Sequence, residues 1–204
     1  MENYLAVLLF TFSTTVTPGP NNIMIMSSGL NYGIKKSMPH YLGICIGFPA
    51  MVVAVGLGFD VVFQKFPFLH EVIKVAGTLY LLYLAYGVAV SGSAASESKR
   101  RPLTFMQAAV FQWANPKAWI MATGAVAAFT TMDSHIILQV FYITLAFFLA
   151  AFPCIAVWLF FGSHLKKILR NEMHHRLFNI SMALLLVLSV IPVIIELAEK
   201  YLAW

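Results

Sequence analysis

Six times along its length the sequence runs through a charge-poor, apolar window long enough to cross a hydrocarbon layer as a helix. The windows lie at about residues 3–30, 38–62, 69–91, 104–130, 134–162 and 178–200, against the ~20 apolar residues that span ~30 Å. Hydrocarbon offers backbone polar groups no water, so a spanning chain must be helical or form a closed barrel. Composition agrees: of 204 residues, 60 % are hydrophobic and 10 % charged, where soluble domains carry roughly 25 % charged residues. Spans and the turns between them leave no length for a soluble domain. The expected fold is an all-α polytopic membrane protein of six transmembrane helices, seated in the lipid bilayer.

The first window is read as a retained span. Met1-Glu2-Asn3 has no basic residue, and the apolar run meets prolines instead of a small-residue cleavage site. Cys45 and Cys154 stand singly in apolar stretches, without the spacing of a disulfide framework or a zinc site. No cofactor is called for. The net charge of +5 is not a nucleic-acid signal here, because the basic residues sit in short loops beside spans, where they set orientation.

Nine of them fall in the odd-numbered loops: Lys35, Lys36, Lys99, Arg100, Arg101, Lys166, Lys167, Arg170 and Arg176. Lys65, Lys74 and Lys200 lie on the other side. By the positive-inside rule the odd loops are cytoplasmic and both termini are outside. The long polar linker Ser91 to Pro102 divides the chain into two halves of three spans, 1–98 and 99–204, within one membrane domain. Three spans per half force the halves to insert with opposite orientation, the inverted-repeat geometry of many secondary transporters.

Two spans are interrupted at corresponding places. Thr17-Pro18-Gly19-Pro20-Asn21-Asn22 breaks helix 1, and Asn115-Pro116-Lys117 breaks helix 4. Pro18 lies about 15 residues into its span and Pro116 about 12, so at ~1.5 Å per residue both sit near the midplane. Proline removes an NH and clashes one turn back, which frees backbone groups that are tolerated only against protein or a wet cavity. Freed carbonyls suit a cation, and the half-helix that starts at Pro20 aims NH groups at an anion. Asn21, Asn22 and Asn115 add amide donors and acceptors. This chemistry fits a zwitterion, and paired breaks of this kind point to a transporter site. The alternative for these residues is a static kink satisfied by neighbouring helices.

Lys117 is the basic residue that belongs to no loop. A lysine at the bilayer centre costs at least ~2.5 kcal/mol on insertion scales and faces a cavity or a partner. It either pairs with a substrate carboxylate or ties down the broken backbone of span 1. No carboxylate falls mid-span, so Lys117 is also the candidate proton carrier, with Asp60 as fallback. A membrane enzyme would need a nucleophile with its base or a metal with several ligands, and neither pattern is present.

Three motifs carry a resemblance. T-P-G-P-N-N in span 1, K-x-x-G-x-x-Y-L (Lys74, Gly77, Tyr80, Leu81) in span 3, and F-x-x-x-N-P-K (Phe111 to Lys117) in span 4 resemble the LysE/RhtB family of amino-acid exporters. The resemblance implies export of amino acids or close derivatives across a bacterial cytoplasmic membrane, driven by the proton motive force. The doubled asparagine and Ser27-Ser28 look closest to the cysteine/O-acetylserine branch. Metal-ion export within the wider superfamily is the alternative, and a homodimer is left open.

Other features have plainer readings. Gly43 and Gly47 let helices pack closely. Pro49 and Pro153 supply hinges or static kinks. Tyr80, Tyr83 and Tyr86 line a path or make helix contacts. His174 and His175 belong to a solvated basic loop, and His40, His70 and His135 lie near span ends in interfacial roles. The ten methionines are scattered and fill helix contacts.

Overall fold

A computed structural model describes residues 4–59, 65–91, 101–131, 135–169 and 171–202. The described secondary structure is entirely helical: α1 (Tyr4–Val16), α2 (Pro20–Ala54), α3 (Pro67–Ala89), α4 (Phe105–Ala114), α5 (Pro116–Phe129), α6 (Ile136–Ile168) and α7 (Glu172–Leu202). A π-turn, Val55–Phe59, extends α2. Four helical stretches are long and apolar enough to cross a membrane: Pro20–Gly58, Glu71–Ala89, Ile136–Lys166 and Glu172–Lys200. Asp60, Asp133, the linker residues 92–100 and the boundary at 98/99 lie outside the described residues.

The polar loop expected between the first two apolar windows is absent, because α2 runs through it. At ~1.5 Å per residue its 35 residues would measure about 52 Å if straight, far longer than a bilayer is thick. It is not straight. Gly33 takes φ 78° and ψ 171°, a conformation open to glycine and strained for other residues. The hydroxyls of Ser28 and Ser37 lie 2.8 Å apart across it, where nine residues of continuous helix would separate them by about 13 Å. The chain therefore folds back at a single glycine, and the turn has shrunk to one residue.

Both breaks appear where proline predicts them, and both helices resume with proline at their first position. That position suits it, since its fixed φ is helical and the missing NH has no partner there anyway. Thr104 begins α4 with a capping box: its hydroxyl accepts from Gln107 N, while Gln107 Oε1 accepts from Thr104 N.

The most extensive packing joins the first half of the chain to the second: α2 against α6 and α4, α3 against α7, α1 against α6. Close approach is achieved with small residues. A Cβ on Gly43 would lie 2.5 Å from the Phe105 carbonyl oxygen, and one on Gly47 would lie 2.5 Å from Ala109 Cα. The packing role expected of these two glycines is what the structure shows. Apolar clusters fill the interior around the breaks, one built on Phe48, Met51, Ala122 and Phe147, another on Ile23, Leu81, Phe111 and Leu186. Outward-facing Leu184, Leu188 and Ile195 of α7 remain exposed, as a lipid-facing surface requires.

Candidate functional site at the two helix breaks

The first break leaves the last carbonyls of α1 without helical partners, and side chains from three other helices take them up. Asn22 Nδ2 donates to Thr15 O at 3.0 Å and Thr17 O at 2.7 Å. Trp158 Nε1 of α6 donates to Val16 O at 3.0 Å. Lys117 Nζ donates to Thr17 O at 2.6 Å, Thr17 Oγ1 at 2.9 Å and Pro18 O at 3.2 Å. The ammonium thus sits at the negative end of the α1 dipole, where a cation is stabilised.

The second break is organised by Asn115, which ends α4 and begins α5. Its backbone is extended (φ −92°, ψ 109°), and its side chain accepts from Lys117 N at 3.1 Å. This cap turns the first residues of α5 toward α1 and so aims Lys117 at the other break. Gly19 leaves room for it: a Cβ there would lie 2.5 Å from Lys117 Cδ. With φ near 180°, Gly19 is in extended backbone, so space and not conformation explains the glycine.

Asn21 points the other way. It forms a reciprocal amide pair with Gln112, Asn21 Nδ2 donating at 2.8 Å and Gln112 Nε2 donating back at 3.1 Å. Gln112 is fully buried and also donates to Ala108 O. Its signal in the sequence was an amide inside an apolar span, which must find a partner. Thr15 and Trp158 were likewise not singled out. Thr15 Oγ1 is buried with no hydrogen-bond partner among the described residues.

Gly19, Asn21, Asn22, Asn115 and Lys117 line one small cavity together with Thr15. Its volume of about 20 Å³ has room for roughly one water. Pro18, Pro20 and Pro116 shape the backbone around it without lining it. A larger cavity of about 350 Å³ lies further along α2, bordered by Ser27, Asn31, His40, Tyr80 and Arg101. Tyr83 and Tyr86 border it too, so all three tyrosines of α3 face this space. His40 departs from the interfacial role expected of it: it is 2 % exposed.

The family model described as LysE type translocator matches residues 12–196 of this chain. The chain belongs to the LysE translocator family. Its relatives include proteins named cysteine/O-acetylserine efflux protein from Escherichia coli, Shigella sonnei and Salmonella choleraesuis. Each is 26 % identical over 179 residues, covering 87 % of this chain and 90 % of the relative. No solved structure gives a significant match. Membership of a translocator family places the molecule among transporters and not enzymes.

In this LysE-family chain the motif of α3 and the motif that joins α4 to α5 pack against one another. A Cβ on Gly77 would lie 2.9 Å from Ala114 Cα, at the very end of α4. Tyr80 rests on Phe111 with ring centroids 6.1 Å apart, and Leu81 is buried in the same cluster. Lys74 pairs with Glu196 of α7 at 2.5 Å. The α3 motif therefore supports the break from behind.

Proposed function

We propose that this protein is a secondary active exporter of small neutral amino acids or close derivatives, of the cysteine/O-acetylserine or homoserine/threonine kind, across a bacterial cytoplasmic membrane. The reading takes the chain as six spans in two inverted three-helix repeats, 1–98 and 99–204, with both termini outside. Folding back at Gly33 supports two spans within α2, and the joining of α4 to α5 through Asn115 alone supports a single broken span. The names of the relatives support the substrate class.

One observation carries the proposal: the charged group of the second break is held on the carbonyls of the first. Lys117 is then both a lock and a receptor. A substrate carboxylate offers it a stronger, charge-assisted partner than a carbonyl. Transfer of the ammonium to that carboxylate frees Thr17 O and Pro18 O, which take the substrate ammonium. The NH groups that open α2, with Asn21, Asn22 and Asn115, complete the zwitterion's contacts. The small cavity beside the breaks must widen as this happens, so substrate and the Lys117 contact compete for the same side chain. Because the two halves interlock, the motion is expected to centre on α1 and the opening turns of α2 and α5, with rocking of one repeat against the other following.

Coupling is assigned to proton antiport, with Lys117 as the carrier.

The test is uptake of labelled cysteine, O-acetylserine, homoserine, threonine, leucine and lysine into everted vesicles, with wild type and Lys117→Ala side by side. Energised uptake of a small neutral member, lost in the variant, is the expected result. No uptake of any member by wild type would refute amino-acid export, and cadmium or nickel efflux would be tested next.

A further inference from the structure

The larger cavity has about 350 Å³, within the range of small-molecule sites, whereas the space at the breaks holds roughly one water. His40 borders it from the second segment of α2. It is 2 % exposed, and neither Nδ1 nor Nε2 has a hydrogen-bond partner among the described residues. A neutral imidazole carries one donor and one acceptor, and polar groups buried without partners are rare in native proteins. Ser28, whose hydroxyl is bonded to that of Ser37 across the Gly33 turn, borders the cavity with Ser27 and Asn31, whose amide is held by Asn179 and by Ser27 O. Arg101 borders the cavity, with the planar fork that matches a carboxylate.

The two spaces are arranged along one helix. Asn22 lines the small cavity and Ser27 the large one, five residues or about 7 Å apart. Ile23 and Met24 lie between these two residues in the chain and pack with Phe111 in one apolar cluster, Met24 itself bordering the large cavity. Arg101 and the Gly33 turn belong to the basic loops read as cytoplasmic.

We propose that this cavity is a second amino-acid site, a cytoplasmic waiting position for a small neutral amino acid with a polar side chain. Arg101 receives the carboxylate, and His40 hydrogen-bonds the side-chain hydroxyl or equivalent polar group. The inference rests on the exporter reading and deepens it: substrate is selected here before Lys117 leaves the carbonyls of the first break. Selection by polarity follows, since leucine would leave His40 unpaired.

The experiment is equilibrium binding of labelled homoserine, threonine and leucine to the purified full chain in lipid nanodiscs, with vesicle transport measured in parallel. Variants are His40→Ala, His40→Leu, His40→Gln and Lys117→Ala. Homoserine and threonine are expected to bind at least tenfold tighter than leucine. His40→Ala and His40→Leu should weaken that binding at least tenfold, and His40→Gln, which keeps a donor and an acceptor, should restore most of it. Lys117→Ala should lose transport and keep binding. If His40→Ala fails to fold, the comparison of His40→Leu with His40→Gln decides. Wild-type transport with binding insensitive to His40, lost in Lys117→Ala, or equally tight for leucine overturns this site and leaves the exporter standing. Binding that follows the expected pattern without transport sinks the exporter reading and keeps the site. Absence of both overturns both.

Discussion

Lys117 Nζ lies 2.6 Å from the carbonyl oxygen of Thr17, a residue one hundred positions earlier in the chain. The charge that opens one half-helix thereby closes the end of another. Removing it takes the ammonium from Thr17 O, which keeps Asn22 Nδ2, and from Pro18 O, and each lost bond to a charged donor weakens the join between the two breaks. Lys117→Ala should lower thermal stability in detergent and reduce transport at least tenfold. Lys117→Arg should insert normally and keep the carbonyl contacts, yet lose uptake driven by a pH gradient, since arginine does not release its proton. Unchanged gradient-driven transport by the arginine variant would remove Lys117 as proton carrier.

Gly19 makes the Lys117 position available. The Cβ of Gly19→Ala would meet Lys117 Cδ at 2.5 Å and Nζ at 3.1 Å. The flexible side chain can withdraw, so folding should survive while the lock is disturbed. Near-normal expression with transport reduced several-fold is expected; transport at the wild-type rate would show that the contact is dispensable.

Asn21 and Gln112 satisfy one another, with Gln112 fully buried and Asn21 half-buried. Each single change to alanine should be more destabilising than its share of the double change, with a coupling of about 0.5–2 kcal/mol in a double-mutant cycle read by thermal unfolding. Additive effects would mean the pair is not formed.

Gly47 and Gly124 both lie inside helices and differ in what surrounds them. Gly47→Leu drives side-chain atoms into Ala109 and should separate α2 from α4, with unfolding or failed insertion. Gly124→Ala meets nothing within 4 Å from neighbouring segments and should be neutral or stabilising by up to ~1 kcal/mol from helix propensity. Comparing detergent melting points of the two variants checks both statements.

The Lys74–Glu196 pair joins α3 to α7 with the glutamate 64 % exposed. Such pairs contribute about 0–1 kcal/mol. Lys74→Ala should shift stability within that range, and the swap Lys74→Glu with Glu196→Lys should recover it. A large transport defect persisting in the swap would assign Lys74 a further role.

Much of the site was legible before any coordinates. Proline at 18, 20 and 116 has only one effect on a helix, and an asparagine or lysine beside it has few alternatives in hydrocarbon. What escaped reading were the partners. Gln112, Trp158 and Asn179 are ordinary polar residues in their own spans, and only the crossing of helices decides which broken backbone or amide each one meets. His40 was misplaced for a related reason. Its sequence position suggests a span end, but the turn at Gly33 folds the second segment of α2 back along the first, where His40 is buried beside the cavity that Ser28 also borders.

The sequence by itself determined a helical membrane chain, the two places where its helices must break, and the residue types able to satisfy those breaks. These follow from local rules: hydropathy, the missing proline NH, and the cost of unpaired polar groups in lipid. Only the tertiary structure decided that Lys117 serves the break of another helix, that the cavity at the breaks is small, and that the larger volume lies further along α2 beside His40. Those facts depend on how close helices approach, which small residues at Gly43, Gly47 and Gly77 permit and no local pattern specifies.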